Sequence, residues 1–200
     1  PVVWEGDYVI ENQSDIDEIA GFTTISGNLD IEGDDALTSL SGLERITSVG
    51  GDLIIGGNTS LTSLTGLEGI TSVGGNLIIG GNTSLTSLTG LEGITTVGVS
   101  LWVTSNDALI SLNGLEGITS LGDGLWIGWN PVLTSLNGLE GITSVSGGLG
   151  LMVEGNDVLT SLTGLEGVTF VDGYGLIIRH NISLTSLLGL ESLASVGDFG

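Results

Sequence analysis

Residues 61–84 read LTSLTGLEGITSVGGNLIIGGNTS, and from Leu85 nearly the same letters begin again. The stretch from Leu37, LTSLSGLERITSVGGDLIIGGNTS, is an earlier copy of the phrase. A 24-residue phrase that returns at fixed spacing is the signature of a supersecondary unit that buries its apolar face against copies of itself. Within one copy the apolar residues are Leu53, Ile55, Leu61, Leu64, Leu67, Ile70 and Val73. The first pair alternates as a strand does. The later threefold spacing is too tight for a helix of 3.6 residues per turn and is punctuated by Gly66, Gly69 and Gly74. The phrase therefore predicts an all-β solenoid. Each coil has one short strand, NLIIG, and extended or turn-like sides, and coils stack at about 4.8 Å into a rod roughly 40 Å long.

Aligning the copies sets coil starts near Gly27, Gly51, Gly75, Val99, Asp123, Leu149 and Tyr174, with insertions at Gly147-Gly148 and Gly173. A degenerate coil leads the array. Its Tyr8, Ile10, Ile16, Ile19, Phe22 and Ile25 fall on the same apolar positions if three residues are missing from one turn, and Asp7, Glu11, Asp15, Asp17 and Glu18 suit a solvent-facing cap. The chain is expected to be one solenoid domain over 1–200: a capping coil at 1–26, seven repeats over 27–197 and a tail at 198–200.

One polar residue per coil belongs inside. Asn58, Asn82, Asn106, Asn130, Asn156 and Asn181, with Asp34 in the first full coil, follow the strand where a turn has to satisfy backbone groups facing the core. A stacked amide ladder both donates and accepts between coils. Asn58, Asn82 and Asn181 also head N-x-S sequons, but an inward amide cannot carry a glycan; Asn12, in NQS, is the plausible acceptor.

Composition narrows the function classes. Hydrophobic residues make up 40% of the chain, against disorder, and no apolar run approaches the ~18 residues that span a bilayer. Cysteine is absent, which excludes disulfides, thiolate zinc sites and thiol catalysis. Asp and Glu number 24 against two arginines, Arg45 and Arg179, for a formal charge of −22. Such a chain is repelled by phosphate backbones and anionic lipid, so nucleic acid and membrane insertion are set aside. High acidity suits a saline or calcium-rich exterior. The chain begins at Pro1, consistent with a leader already removed or a trimmed chain. A secreted or cell-surface protein is expected.

The letters GGNLIIGGNTSLTSLTGLEGITSVGG resemble the repeat of receptor L-domain-like proteins, relatives of the leucine-rich repeats that also pair a short L-x-I/L strand with a ladder Asn. The resemblance covers roughly residues 6 to 197. It implies a right-handed single-stranded β-helix; in the animal growth-factor receptors the sheet face contacts ligand, and bacterial members tend to be surface or secreted proteins. The chain departs from the receptor pattern in lacking their cysteines and in its near-identical coils.

Between the two inward strand residues, one side chain per coil points outward: Asp30, Ile54, Ile78, Trp102, Trp126, Met152 and Ile177. Their outward neighbours Gly56, Gly80, Thr104 and Gly128 are small, and Trp129 in the adjoining turn widens the patch. A contiguous apolar file marks a contact surface. Three readings are open: a protein or adhesion partner anchored on Trp102 and Trp126; a glycan stacked on the same rings near Thr104, Asn106 and Asp107; or a cover supplied by another domain, a second copy or a flanking segment.

Two hydroxyl columns also face outward. Thr38, Thr62, Thr86, Thr134, Thr160 and Thr185 form one, interrupted by Ile110, and Thr47, Thr71, Thr95, Thr119, Thr143 and Thr169 form the other. They read either as turn residues bonded locally or as an ice-binding surface. Glu44, Glu68, Glu92, Glu116, Glu140, Glu166 and Glu191 form a column of like charge. Neighbours ~4.8 Å apart in water repel by roughly 0.9 kcal/mol, so each carboxylate is expected to accept from turn N–H groups two or three residues ahead. The alternative is a calcium ladder, with Glu68, Glu92, Glu116 and Glu140 as candidate ligands and no other cofactor. Catalysis finds little: His180 is the sole histidine, Arg179 its only basic neighbour, and lysine is absent. The terminal SLASVGDFG offers no polar cap, which leaves self-association into filaments as a further expectation.

Overall fold

The computed structural model describes residues 1–197, an all-β solenoid of about eight turns with parallel stacking. The tail 198–200, and with it the end of SLASVGDFG, lies outside the described residues. Eight strands make the main sheet: Tyr8–Ile10, Leu29–Ile31, Leu53–Gly56, Leu77–Gly80, Leu101–Thr104, Leu125–Gly128, Leu151–Glu154 and Leu176–Arg179. Each pairs in parallel with the strand one coil away, Leu53 with Leu77 and Leu101 with Leu125. The register survives both insertions, with Leu125 opposite Leu151 and Leu151 opposite Leu176.

The alternation of the strand places Leu53 and Ile55 in the core, fully buried, with Ile54 on the outer face. The threefold spacing that follows comes from consecutive tight turns: Leu67 N–H donates to Leu64 O, and Ile70 N–H to Leu67 O. Each such turn drops one leucine or isoleucine into the core, where Leu61, Leu64, Leu67 and Ile70 are fully buried. Gly66 makes the corner possible on two counts. Its φ is +115°, and a Cβ there would sit 2.3 Å from the Leu40 carbonyl of the coil before.

A second sheet is made of two-residue strands at the far corner and is split into six strands, from Val3–Trp4 to Ser120–Leu121, and three, from Ser144–Val145 to Ser195–Val196. The split has a local cause. Gly50, Gly74, Gly98 and Gly122 each follow their strand so closely under the previous coil that a Cβ at Gly122 would stand 1.9 Å from Gly98 O. The sixth coil carries Ser146 at that position, which cannot fit the same spacing. The chain swings away, Gly147 takes φ +156° beside Asp123, and Leu149 is raised to the surface, 39% exposed.

Asn58, Asn82, Asn106, Asn130 and Asn156 are fully buried and form the expected ladder. In each step the Nδ2 of one donates to the Oδ1 of the next, as from Asn82 to Asn106 at 3.1 Å, and reaches back to a main-chain carbonyl, Ile55 O for Asn82. Asn181 continues the ladder by accepting from Asn156. Asp34 does not begin it. The strand before it, Leu29–Ile31, is one residue shorter than Leu53–Gly56 of the next coil, and Asp34 turns outward at φ 47°. The ladder starts at Asn58, whose Oδ1 accepts from Gly33 N–H.

The leading coil contains a seven-residue helix, Gln13–Ile19, where only turns were expected. Asn12 caps it, accepting from Ser14 N–H, and the Asp15 carboxylate accepts the Asn12 N–H in return. Ile16 and Ile19 enter the core from its inner face. Trp4, Tyr8 and Phe22 close the end by edge-to-face contacts at 4.7 and 5.4 Å. At the opposite end Leu176, Ile178, Leu184 and Leu190 are only partly buried, and Leu187 and Leu188 are exposed.

Candidate functional site

The outward file lies on the main sheet with its members directly opposite one another: Asp30 with Ile54, Ile78 with Trp102, Trp102 with Trp126, Trp126 with Met152 and Met152 with Ile177. All are half-buried, because each side chain shields the next. Val9, unnoticed in the sequence, extends the file beyond Asp30 and is 47% exposed. Burial, then Glu32, Asp7 and Asp52, push the Asp30 carboxyl above its usual range.

The file is flat along Ile54 and Ile78 and deepens farther on. Trp102 and Trp126 meet edge to face, centroids 5.7 Å apart at 66°. With Met152, Leu149, Leu125 and Gly150 they line a mainly apolar cavity of about 270 Å³. Its polar edge is Glu154 and Arg179, register partners on adjacent strands, the Arg179 Nε donating to Glu154 Oε2. Their positions correspond to the small Gly56, Gly80 and Gly128 of other coils, so this ion pair is special to the last two strands. The Glu154 side chain is only 3% exposed although it stands on the outer face. The Trp126 Nε1 lies over Gly128, buried and without a hydrogen-bond partner.

Trp129 does not widen the file. It sits in the turn beyond the strand and borders a different concavity, of about 240 Å³, with Ser105, Asp107, Pro131, Gly155 and Asp157. Asn106, considered beside Trp102 and Trp126 as a sugar contact, is fully buried in the ladder. Thr104 lies on the strand next to Trp102, and Asp107 faces the Trp129 concavity.

The glutamate column has a structural occupation. Gly66 N–H donates to Glu68 Oε2 at 2.8 Å, and Gly90, Gly114 and Gly138 do the same for Glu92, Glu116 and Glu140. The donor stands two residues before the glutamate rather than ahead of it. At Glu44, turn N–H groups hold the carboxyl below its usual range. Among the described residues no three His, Cys, Asp or Glu side chains gather as metal ligands would. Four hydroxyls of the Thr47 column are engaged as well: Thr47 Oγ1 donates to Thr23 O, Thr71 Oγ1 to Thr47 O, Thr95 Oγ1 to Thr71 O and Thr169 Oγ1 to Thr143 O. His180 stacks toward Trp129, centroids 6.1 Å apart.

A second ladder escaped the sequence reading. Asp7, Asn28, Asp52, Asn76 and Ser100 each accept the main-chain N–H of the corresponding residue in the next coil, as from Asn76 N–H to Asp52 Oδ1. Charged and neutral acceptors alternate through Asn76, so no two carboxylates are adjacent; that alternation before each strand was the available signal.

The chain matches no protein-family model, no curated protein and no solved structure. Among the described residues no helix is long and apolar enough to cross a membrane.

Proposed function

We propose that the protein is a non-catalytic recognition module, secreted or displayed on a cell surface, that binds a protein or surface partner through the apolar file of its main sheet. The cavity at Trp102, Trp126 and Met152 carries this reading. It is concave and apolar, and it is bounded by a polar pair whose members replace the small residues of the other coils. Aromatic anchors over a desolvated hollow, rimmed by a charge pair, are where interfaces concentrate their binding energy. The identical coils supply the rod, and the departures from identity supply the site. The letters shared with receptor L-domain-like repeats agree with ligand contact through a sheet face.

The test is selection of binders from a displayed peptide library and a glycan array on the wild-type protein, followed by Trp102→Ala with Trp126→Ala. Ligands that lose at least tenfold in affinity on a variant with an unchanged circular dichroism spectrum support the reading. Ligands held equally by both proteins, or protection of the cavity by a second copy, overturn it.

A further inference from the structure

The turn after the sixth main-sheet strand holds Trp129 at φ 56°, where the equivalent turns carry Gly57, Gly81 and Gly155 at φ 67°, 71° and 64°, and Ser105 and His180 at φ 59° and 56°. A bulky side chain in that region is uncommon and disfavoured relative to glycine. The indole lies over Gly155, where any Cβ would meet the ring at 2.5 Å, and it remains 48% exposed. It borders the 240 Å³ concavity, whose charged walls are Asp107 and Asp157. None of the residues lining this concavity lines the apolar cavity.

We propose that this concavity is a second binding site, which takes the guanidinium of an arginine side chain on a protein partner. The wall chemistry selects the ligand. Asp107 and Asp157 accept hydrogen bonds and donate none, Pro131 and Gly155 offer no side-chain donor, and the Trp129 Nε1–H and the Ser105 hydroxyl are the side-chain donors present. A guanidinium presents donors alone to the two carboxylates, carries the charge opposite to theirs, and has a flat face that stacks on an indole. Among the described residues the ion pair formed is Arg179 with Glu154, so neither Asp107 nor Asp157 has a basic partner within the chain. The formal charge of −22 draws a basic segment toward the rod, and the Trp129 turn gives it a place to seat.

The site is read by ¹⁹F NMR of protein carrying 5-fluorotryptophan at its four Trp positions, assigned by single Trp→Phe variants. The probes are N-acetyl-arginine amide, its neutral isostere N-acetyl-citrulline amide, and methyl glucoside. The arginine probe shifts the Trp129 signal saturably and citrulline does not. Asp107→Asn with Asp157→Asn weakens the arginine probe about fivefold or more, from two partly exposed ion pairs. Glu68→Gln with Glu92→Gln, the same change in net charge elsewhere on the rod, leaves its affinity within twofold. Equal shifts from citrulline, a response to the glucoside in place of arginine, or equal weakening in both double variants overturns the proposal. The Trp102 and Trp126 signals report the apolar cavity separately, so failure at one site is distinguishable from failure at the other.

Discussion

Replacing Asn106 by alanine breaks the ladder at mid-stack. Its Oδ1 accepts from both the N–H and the Nδ2 of Asn82, and its own Nδ2 donates to Ile79 O at 3.0 Å, Thr104 O at 3.1 Å and Asn130 Oδ1 at 3.2 Å. Alanine leaves the Asn82 N–H without its acceptor and Ile79 O without this donor, in a place closed to water. At ~1–3 kcal/mol for each unsatisfied group, the variant loses about 4 kcal/mol. Urea denaturation followed by far-ultraviolet circular dichroism measures the loss. In a stack held by nearest-neighbour contacts the transition should also broaden. Asn106→Asp sharpens the test. The carboxylate still accepts from Asn82, but it faces three oxygens and is buried, so its folded pKa rises above the unfolded value. A raised carboxyl pKa means the folded state binds the proton more tightly; stability is greatest below the unfolded pKa and falls as pH climbs toward the folded one. A loss below about 1 kcal/mol for alanine, or an aspartate variant that gains stability as pH rises, refutes the reasoning.

Gly98→Ala should cost roughly 3 kcal/mol, since its Cβ would meet a main-chain carbonyl of the neighbouring coil. Gly57→Asn, at φ 67° but with no atom nearer than 3.9 Å to its Cβ, should cost less than about 1 kcal/mol; comparing their urea midpoints checks both. The Tyr8 hydroxyl donates to Glu18, and burial followed by that bond and charge pushes its pKa up to about 12. Its contribution to stability is therefore complete below the ordinary value of 10 and disappears between pH 10 and 12, a loss that Tyr8→Phe should remove from a thermal melt series. Arg179→Gln leaves the Glu154 carboxylate without its cation and should lower the Tm, whereas pairing it with Glu154→Gln should restore most of the loss.

What repeats was legible in the sequence. Leu53, Ile55 and the threefold-spaced leucines fix the strand, the turns and the inward ladder because the same environment recurs in each coil, and the insertions at Gly147-Gly148 and Gly173 keep the register. What occurs once was harder to read. Ile16 and Ile19 are three residues apart in a helix just as Leu64 and Leu67 are in turns, and only the Asn12 and Asp15 capping pair separates the two cases. Asp34 shares the letter position of the ladder but not its conformation, because the strand before it stops one residue early. The pairing of Glu154 with Arg179 depends on a 25-residue step across an insertion, and the separation of Trp129 from the file depends on its φ. Neither is a property of spacing alone.

Hydroxyl-radical footprinting of the protein, with and without a selected ligand, tests the central claim most directly, because Trp and Met are oxidised readily and their side chains are the surface in question. The account predicts that Trp102, Trp126 and Met152 become protected together on binding while Trp4, in the capping coil, is unchanged. Protection confined to the exposed Leu187 and Leu188, with the oxidation of Trp102, Trp126 and Met152 unaltered, would contradict it.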